Sequence, residues 1–345
     1  MTSKTRYFMG GSAAILVAGL GTGLVAYYGG GFPTLSASNA GRSELSYVPA
    51  DAAVVAYANV REVMDSQLRQ RLKVVMPQEQ GQEEFRKQTG IDIEKDIDYV
   101  VAAMTTSDTG IKEPNGLIVA RGRFEVATLE SLARQHGGVV EEYKAKRLIK
   151  ASPVHDDTDT GDHPHPVMLA FLEPGLVAIG SERAIKSAID AQLSAHSITS
   201  NNEMMELISD IDMGNNAWAV GRFDAIANQT KMPAEIASKL PAVKTFAVMT
   251  HIDGGVTGSL RAETKDDESA VNLRQVVQGL LALAKMSNDP KATALINSLQ
   301  LSGTGKTVKL SFSVPSEVLD MIPMKTIQSS GGDQPHVIDK ELRRR

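Results

Sequence analysis

No cysteine occurs in the 345 residues. That excludes disulfides, thiolate metal sites, cysteine nucleophiles and a lipidated N-terminal cysteine. Aromatic residues are scarce at 5%, and Trp218 is the sole tryptophan, which argues against stacking on sugars or single-stranded bases. A basic excess is also missing: 36 Lys and Arg stand against 41 Asp and Glu, for a net charge of −5. A general nucleic-acid binder needs a basic face to neutralise phosphates, so nucleic acid is not expected as a partner. The Gly-x-Ser-x-Gly elbow of serine hydrolases is absent as well.

What is present reads as globular: 42% hydrophobic and 22% charged residues, over a length that suits about two domains. The first feature is an uncharged apolar run, YFMGGSAAILVAGLGTGLVAYY, over residues 7–28. As a helix at ~1.5 Å per residue it spans ~33 Å, enough for a hydrocarbon core of ~30 Å. Lys4 and Arg6 precede it and the next basic residue is Arg42, so the positive-inside rule places residues 1–6 in the cytoplasm and the remainder outside. The expectation is a bacterial inner-membrane protein with one transmembrane helix and an extracytoplasmic body. A cleaved signal peptide is the rival reading. Its small-x-small site, Ser36-Ala37-Ser38, lies well beyond the apolar core. Gly19 and Gly23 share one face of the helix and would let a second helix approach, so the anchor is a candidate for self-association.

Residues 29–46 are rich in Gly, Ser and Ala and read as a flexible linker, with order starting near Tyr47. Apolar spacing then predicts a strand from Ala53 to Asn59 and one helix carrying Val60, Met64, Leu68, Leu72 and Val75. Alternation and turn residues predict strands at 98–105, 116–123, 139–144, 146–151, 166–172 and 175–180. Helices are expected at 79–89, 125–136 and 181–193. The second half repeats this style, with helix 203–210, strand 216–222, a helix near Asp224, and a hairpin of 243–251 and 255–263 turning at Asp253-Gly254. A long helix over 266–286, a helix over 290–298, strands 299–302 and 306–313, and a short helix over 315–322 follow. Runs of adjacent strands without strict alternation with helices predict an α+β fold, with mostly antiparallel sheets and helices on one face. The echo of Gly122-Arg123-Phe124-Glu125 in Gly221-Arg222-Phe223-Asp224 suggests a duplication, with halves at 47–197 and 198–323. The polar tail, 324–345, reads as disordered.

The stretches YVPADAAVVAYANV, TGIDIEKDIDYVVAAM, GLIVARGRF and SERAIKSAIDAQL resemble an uncharacterised bacterial family of N-terminally anchored, exported proteins. The resemblance implies export and this general architecture. It implies no activity and assigns no residues.

Two stretches invite a functional reading. His155, Asp157, Asp159, Asp162, His163 and His165 crowd one loop and are candidate ligands for a divalent metal. The loop departs from a calcium pattern, since Gly161 stands where a ligand belongs and no glutamate closes it, and a solvated excursion is the plainer reading. Ser302-Gly303-Thr304-Gly305-Lys306-Thr307 echoes a phosphate loop, but Gln300 stands where its first glycine should be. An alternating strand follows instead of a helix, so a hairpin turn is expected. His136, His196 and His251 are isolated. No catalytic residue and no cofactor is assigned. The expected partners are the bilayer and another envelope protein, in a scaffold or binding role. A metal-dependent hydrolase or a binder of an apolar ligand beneath the long helix are the alternatives.

Overall fold

The computed structural model describes residues 41, 43–75, 86–87, 90–105, 115–150, 168–211, 214–223, 242–285 and 296–315. Its strands are β1 Ala52–Ala58, β2 Ile97–Thr105, β3 Asn115–Gly122, β4 Val139–Tyr143, β5 Lys146–Lys150 and β6 Met168–Glu173. They continue as β7 Leu176–Gly180, β8 Ala217–Arg222, β9 Val243–Ile252, β10 Gly255–Thr264, β11 Gln300–Ser302 and β12 Thr307–Pro315. The helices are α1 Val60–Met64, α2 Gln67–Val75, α3 Ile93–Asp96, α4 Val126–Gln135, α5 Glu182–Ser194, α6 Asn202–Ser209 and α7 Asp267–Lys285. Short 3-10 turns cover Glu44–Tyr47 and Ile198–Ser200.

All twelve strands join one sheet, ordered β11-β12-β10-β9-β8-β1-β2-β3-β7-β6-β5-β4. Every pairing between named strands is antiparallel. The α+β class expected from sequence is therefore what the chain adopts. The two halves meet where β1 pairs with β8, Ala56 opposite Ala219. Outward from that seam the order is β1-β2-β3-β7-β6-β5-β4 on one side and β8-β9-β10-β12-β11 on the other.

Helices cover both faces of the sheet, which corrects the one-face expectation. Successive residues of a strand point to opposite faces. On one face Val55, Tyr57, Val101 and Val119 pack with Ile185 and Ile189 of α5, Met204, Leu207 and Ile208 of α6, and Leu45 and Tyr47. On the other, Ala58, Val100 and Ala120 pack with Val60 and Met64 of α1, and Phe124. Farther out on that second face, Ala262 and Val308 meet Ala270 and Leu273 of α7. The physical reason lies in β1 and β2, whose near-continuous apolar runs are buried on both sides, so one helical layer could not cover them.

Three local expectations also change. Order starts before Tyr47, because Glu44, Leu45 and Tyr47 are already buried. The single helix expected after β1 is two: α1 stops at Asp65, and Ser66 Oγ accepts from the Arg69 amide at 3.1 Å, restarting the chain as α2. The glycine echo does not join equivalent places, since Gly122 is the last residue of β3, two strands from the seam, and Gly221 is the next-to-last residue of β8, at the seam. The two hairpins expected at 252–256 and 302–307 do form.

The β4–β5 turn holds Lys144 at φ 47° and Ala145 at φ 61°. Both lie in the left-handed region that a two-residue hairpin of this hand requires and that glycine or asparagine fills most easily. Lys144 has compensation, with Nζ 2.7 Å from Asp190. Ala145 has no such partner to gain from. Ala145→Gly is expected to raise stability by about 0.5–1 kcal/mol, read as a higher urea midpoint at unchanged slope.

Candidate functional site

Three features stand out in the described residues: a charged groove, a buried polar cluster, and the exposed apolar residues of α7. The groove, ≈ 500 Å³, opens between α6 and the ends of β9 and β10. Helical spacing puts Glu203, Glu206 and Asp210 along the α6 wall. Strand alternation puts Arg261 and Glu263 of β10 on the facing wall, with Lys244 beside them. Lys244 Nζ lies 2.6 Å from Glu203, and Arg261 Nη2 donates to Asp210 at 3.0 Å. Thr307 donates to Glu263 at 2.7 Å. The hydrogen bond to Glu203, then its charge, raises the Lys244 pKa above the ordinary lysine value, so that group stays protonated. Charges matched in this way suit polar recognition more than proton transfer, which needs a group poised near neutrality.

The buried polar cluster starts at Glu44, whose side chain is 1% exposed. Arg121 of β3 donates to its Oε1 from Nη2 at 2.6 Å and from Nε at 3.0 Å. Tyr99 of β2 donates at 3.0 Å and Ser43 at 2.8 Å. Burial alone would raise the Glu44 pKa, but the bonds from Arg121, Ser43 and Tyr99 together outweigh it and hold the carboxyl below the ordinary glutamate value. Tyr47 reaches Glu173 at 2.8 Å. The cluster thereby pins the Glu44–Tyr47 turn onto β2, β3 and β6. A chemical role for it has no access to solvent on the carboxylate side, and its groups satisfy one another.

Next to it Tyr57 stacks on Trp218, ring centroids 5.8 Å apart, and tilts against Tyr99 at 5.9 Å. The Tyr57 hydroxyl is buried with no hydrogen-bond partner, and burial, reinforced by the negative charge of Glu62, pushes its pKa well above the ordinary tyrosine value. A buried unpaired hydroxyl costs about 1–3 kcal/mol. Tyr57→Phe is therefore expected to leave the fold intact and to raise stability by about 1 kcal/mol, measured by thermal unfolding followed through Trp218 fluorescence.

The exposed apolar residues of α7 are the third feature. The helix buries Ala270 and Leu273 against the sheet, while Val271, Val276 and Leu280 are 47%, 36% and 61% exposed. Helical spacing puts Val276 and Leu280 on the same side of α7 as Leu273 and Val277, and Val271 nearly opposite.

No protein-family model matches the chain, and no curated protein matches it by sequence. Two crystal structures of the Treponema protein TP0453 are similar to it. Crystal form I shares 9% identity over 80% of this chain and 94% of that one, with a TM-score of 0.46. Crystal form III shares 9% identity over 80% and 95%, with a TM-score of 0.49.

The residues singled out from sequence fall mostly elsewhere. His155, Asp157, Asp159, Asp162, His163 and His165 lie outside the described residues, as do Gly19 and Gly23. Among the described residues, no group of three or more His, Asp or Glu is placed to hold a metal ion. His136 and His196 are exposed, and His251 sits half-buried on β9. Sequence reasoning missed Glu44, which sits in what reads as linker. One signal could have found it: Arg121 lies inside the apolar strand GLIVARG, and a cation in a buried strand requires an acid nearby.

Proposed function

We propose that this chain is a membrane-tethered, exported binding module of the bacterial envelope, with a scaffolding and not a catalytic role. The observation that carries the reading is α7, the longest described helix, which leaves the large apolar side chains of Val276 and Leu280 exposed. The uncharged run at 7–28 supports the tether, and Lys4 and Arg6 support its direction. Among the described residues no helix is long and apolar enough to cross a membrane, so the tether rests on the N-terminal run alone. The groove beside α6 adds a polar patch to the same body. The parallel order of the first five strands on each side of the β1·β8 seam, beyond which one side adds β5 and β4, supports a duplicated origin for the body, with each half contributing one wing of the sheet.

Two measurements test this. Intact mass of the mature protein is expected to include residues 1–38; a chain starting at Asn39 would turn the anchor into a discarded signal. Protease added to spheroplasts is expected to digest the body while the membrane stays sealed. Full protection of the body in sealed spheroplasts sinks the export reading.

A further inference from the structure

We propose that the groove between α6 and the ends of β9 and β10 binds a short peptide by its two charged ends, the ammonium toward Glu206 and the carboxylate toward Lys265 and Lys306. The groove lies on the face of the sheet opposite α7, since Arg261 and Glu263 alternate with Ala262, which packs against α7. The site is therefore additional to the α7 residues behind the binding-module reading and goes beyond that reading.

The charges of the groove select the ligand. Its lining holds four acids and four bases, so net charge draws in neither a simple anion nor a simple cation. Half of these charges are matched internally, Glu203 with Lys244 at 2.6 Å and Asp210 with Arg261 at 3.0 Å. Among the described residues the other four, Glu206, Glu263, Lys265 and Lys306, form no ion pair. Glu263 takes only the neutral Thr307 hydroxyl, at 2.7 Å. Asp266, whose field the two lysines share, is committed to capping α7 through the Ser269 amide at 2.8 Å. The unmatched charges are also segregated. Glu206 stands on the α6 wall and Glu263 on the β10 wall. Lys265 follows the end of β10, and Lys306 lies in the adjoining turn, its carbonyl held by the Thr264 amide at 3.0 Å. Lys265 is two residues past Glu263, ~6.6 Å along an extended backbone. A free α-amino acid carries both charges on one carbon and does not reach over that spacing. Two or three extended residues span ~7–10 Å and do. The volume of ≈ 500 Å³ falls within the ~300–1,000 Å³ of small-ligand clefts. Leu207 is the only apolar side chain among the described residues of the lining, which leaves an acyl chain nothing to bury against. Thr245, 5% exposed, lines the groove as well, and its hydroxyl suits a peptide group.

Ligand-observed NMR titration of the full-length chain in detergent, with trialanine as the probe, tests this. Trialanine is expected to bind, and its N-acetylated and C-amidated forms about fivefold more weakly, as suits partly exposed charge pairs. Glu206→Gln, at an exposed position, is expected to lower the affinity for trialanine about threefold. It should leave the acetylated peptide unchanged, because that peptide has already lost the contact. Lys265→Gln together with Lys306→Gln is expected to weaken trialanine likewise and to spare the amide. No binding of trialanine, equal binding of all three peptides, or equal weakening of all three by each variant overturns the proposal. Alanine binding as tightly as trialanine overturns it too, since the span between the charges would then decide nothing. None of these outcomes touches the anchor or α7, so the binding-module reading stands or falls separately.

Discussion

Replacing Glu44 by alanine is expected to lower stability by about 3 kcal/mol. The estimate sits at the low end for a broken buried pair because only the carboxylate is fully buried, at 1%, while the Arg121 side chain is 26% exposed. Truncation removes the acceptor of both Arg121 bonds and of the Tyr99 and Ser43 hydroxyls. Arg121 keeps the Pro174 carbonyl at 3.4 Å and Glu173 at 3.5 Å, but it loses its shortest, buried acceptor, and the Tyr99 hydroxyl loses the same one. It also frees the Glu44–Tyr47 turn, whose Leu45 and Tyr47 fill the core.

The same group makes stability depend on pH. The Glu44 pKa is below its ordinary value of 4.5 in the folded protein, so the unfolded chain binds the proton more tightly. Its contribution is fully present above about pH 4.5 and is lost as pH falls through the lower folded value. Glu44→Gln should flatten this part of the acid limb, while leaving other carboxylates to titrate. Urea unfolding of both proteins at a series of pH values checks it. Parallel acid limbs in the two proteins would show that the Arg121 pair contributes nothing specific.

Gly122→Ala is expected to cost about 3 kcal/mol or more, because the backbone must move to accept it. A Cβ on Gly122 would lie 2.1 Å from the Asp96 carbonyl oxygen. That oxygen is fixed by the Arg123 amide at 2.7 Å, and the Gly122 amide is itself held by the Gly175 carbonyl at 2.9 Å. Gly221 meets the same constraint at another place, with a Cβ there falling 2.6 Å from the Ala53 carbonyl oxygen. The shared Gly-Arg-Phe therefore reflects one local need met twice: a strand end pressed closely against neighbouring backbone. Gly254 is the control, since its nearest neighbour is the Gln67 side chain at 3.7 Å. Gly254→Ala should shift the urea midpoint by no more than about 0.5 kcal/mol equivalent. A Gly122→Ala protein as stable as this control would refute the close approach.

How much was legible varies with the range of the interaction that decides each feature. The β9–β10 hairpin and α7 follow from alternation and helical spacing within their own segments, and both form within a residue or two of where the pattern puts them. The break between α1 and α2 was not legible, because the apolar spacing through Val60, Met64 and Leu68 continues across it. Arg69 explains the break only in three dimensions: it is buried and pairs with Glu94, at the start of α3. Glu44 was hidden for the same reason, since its partner lies 77 residues away.

By itself the sequence determined the α+β class, the order of nearly all the described elements, and the cysteine-free chemistry that leaves the core to hold the body together. Each of these depends on composition or on neighbours a few residues apart. Only the tertiary structure decided that the halves share one twelve-stranded sheet, that helices lie on both of its faces, and that α7 leaves Val276 and Leu280 uncovered. Those facts depend on which strands become neighbours and which helix side finds the sheet. Periodicity shows that a helix has an apolar side; how much of that side the rest of the chain covers is set by long-range packing.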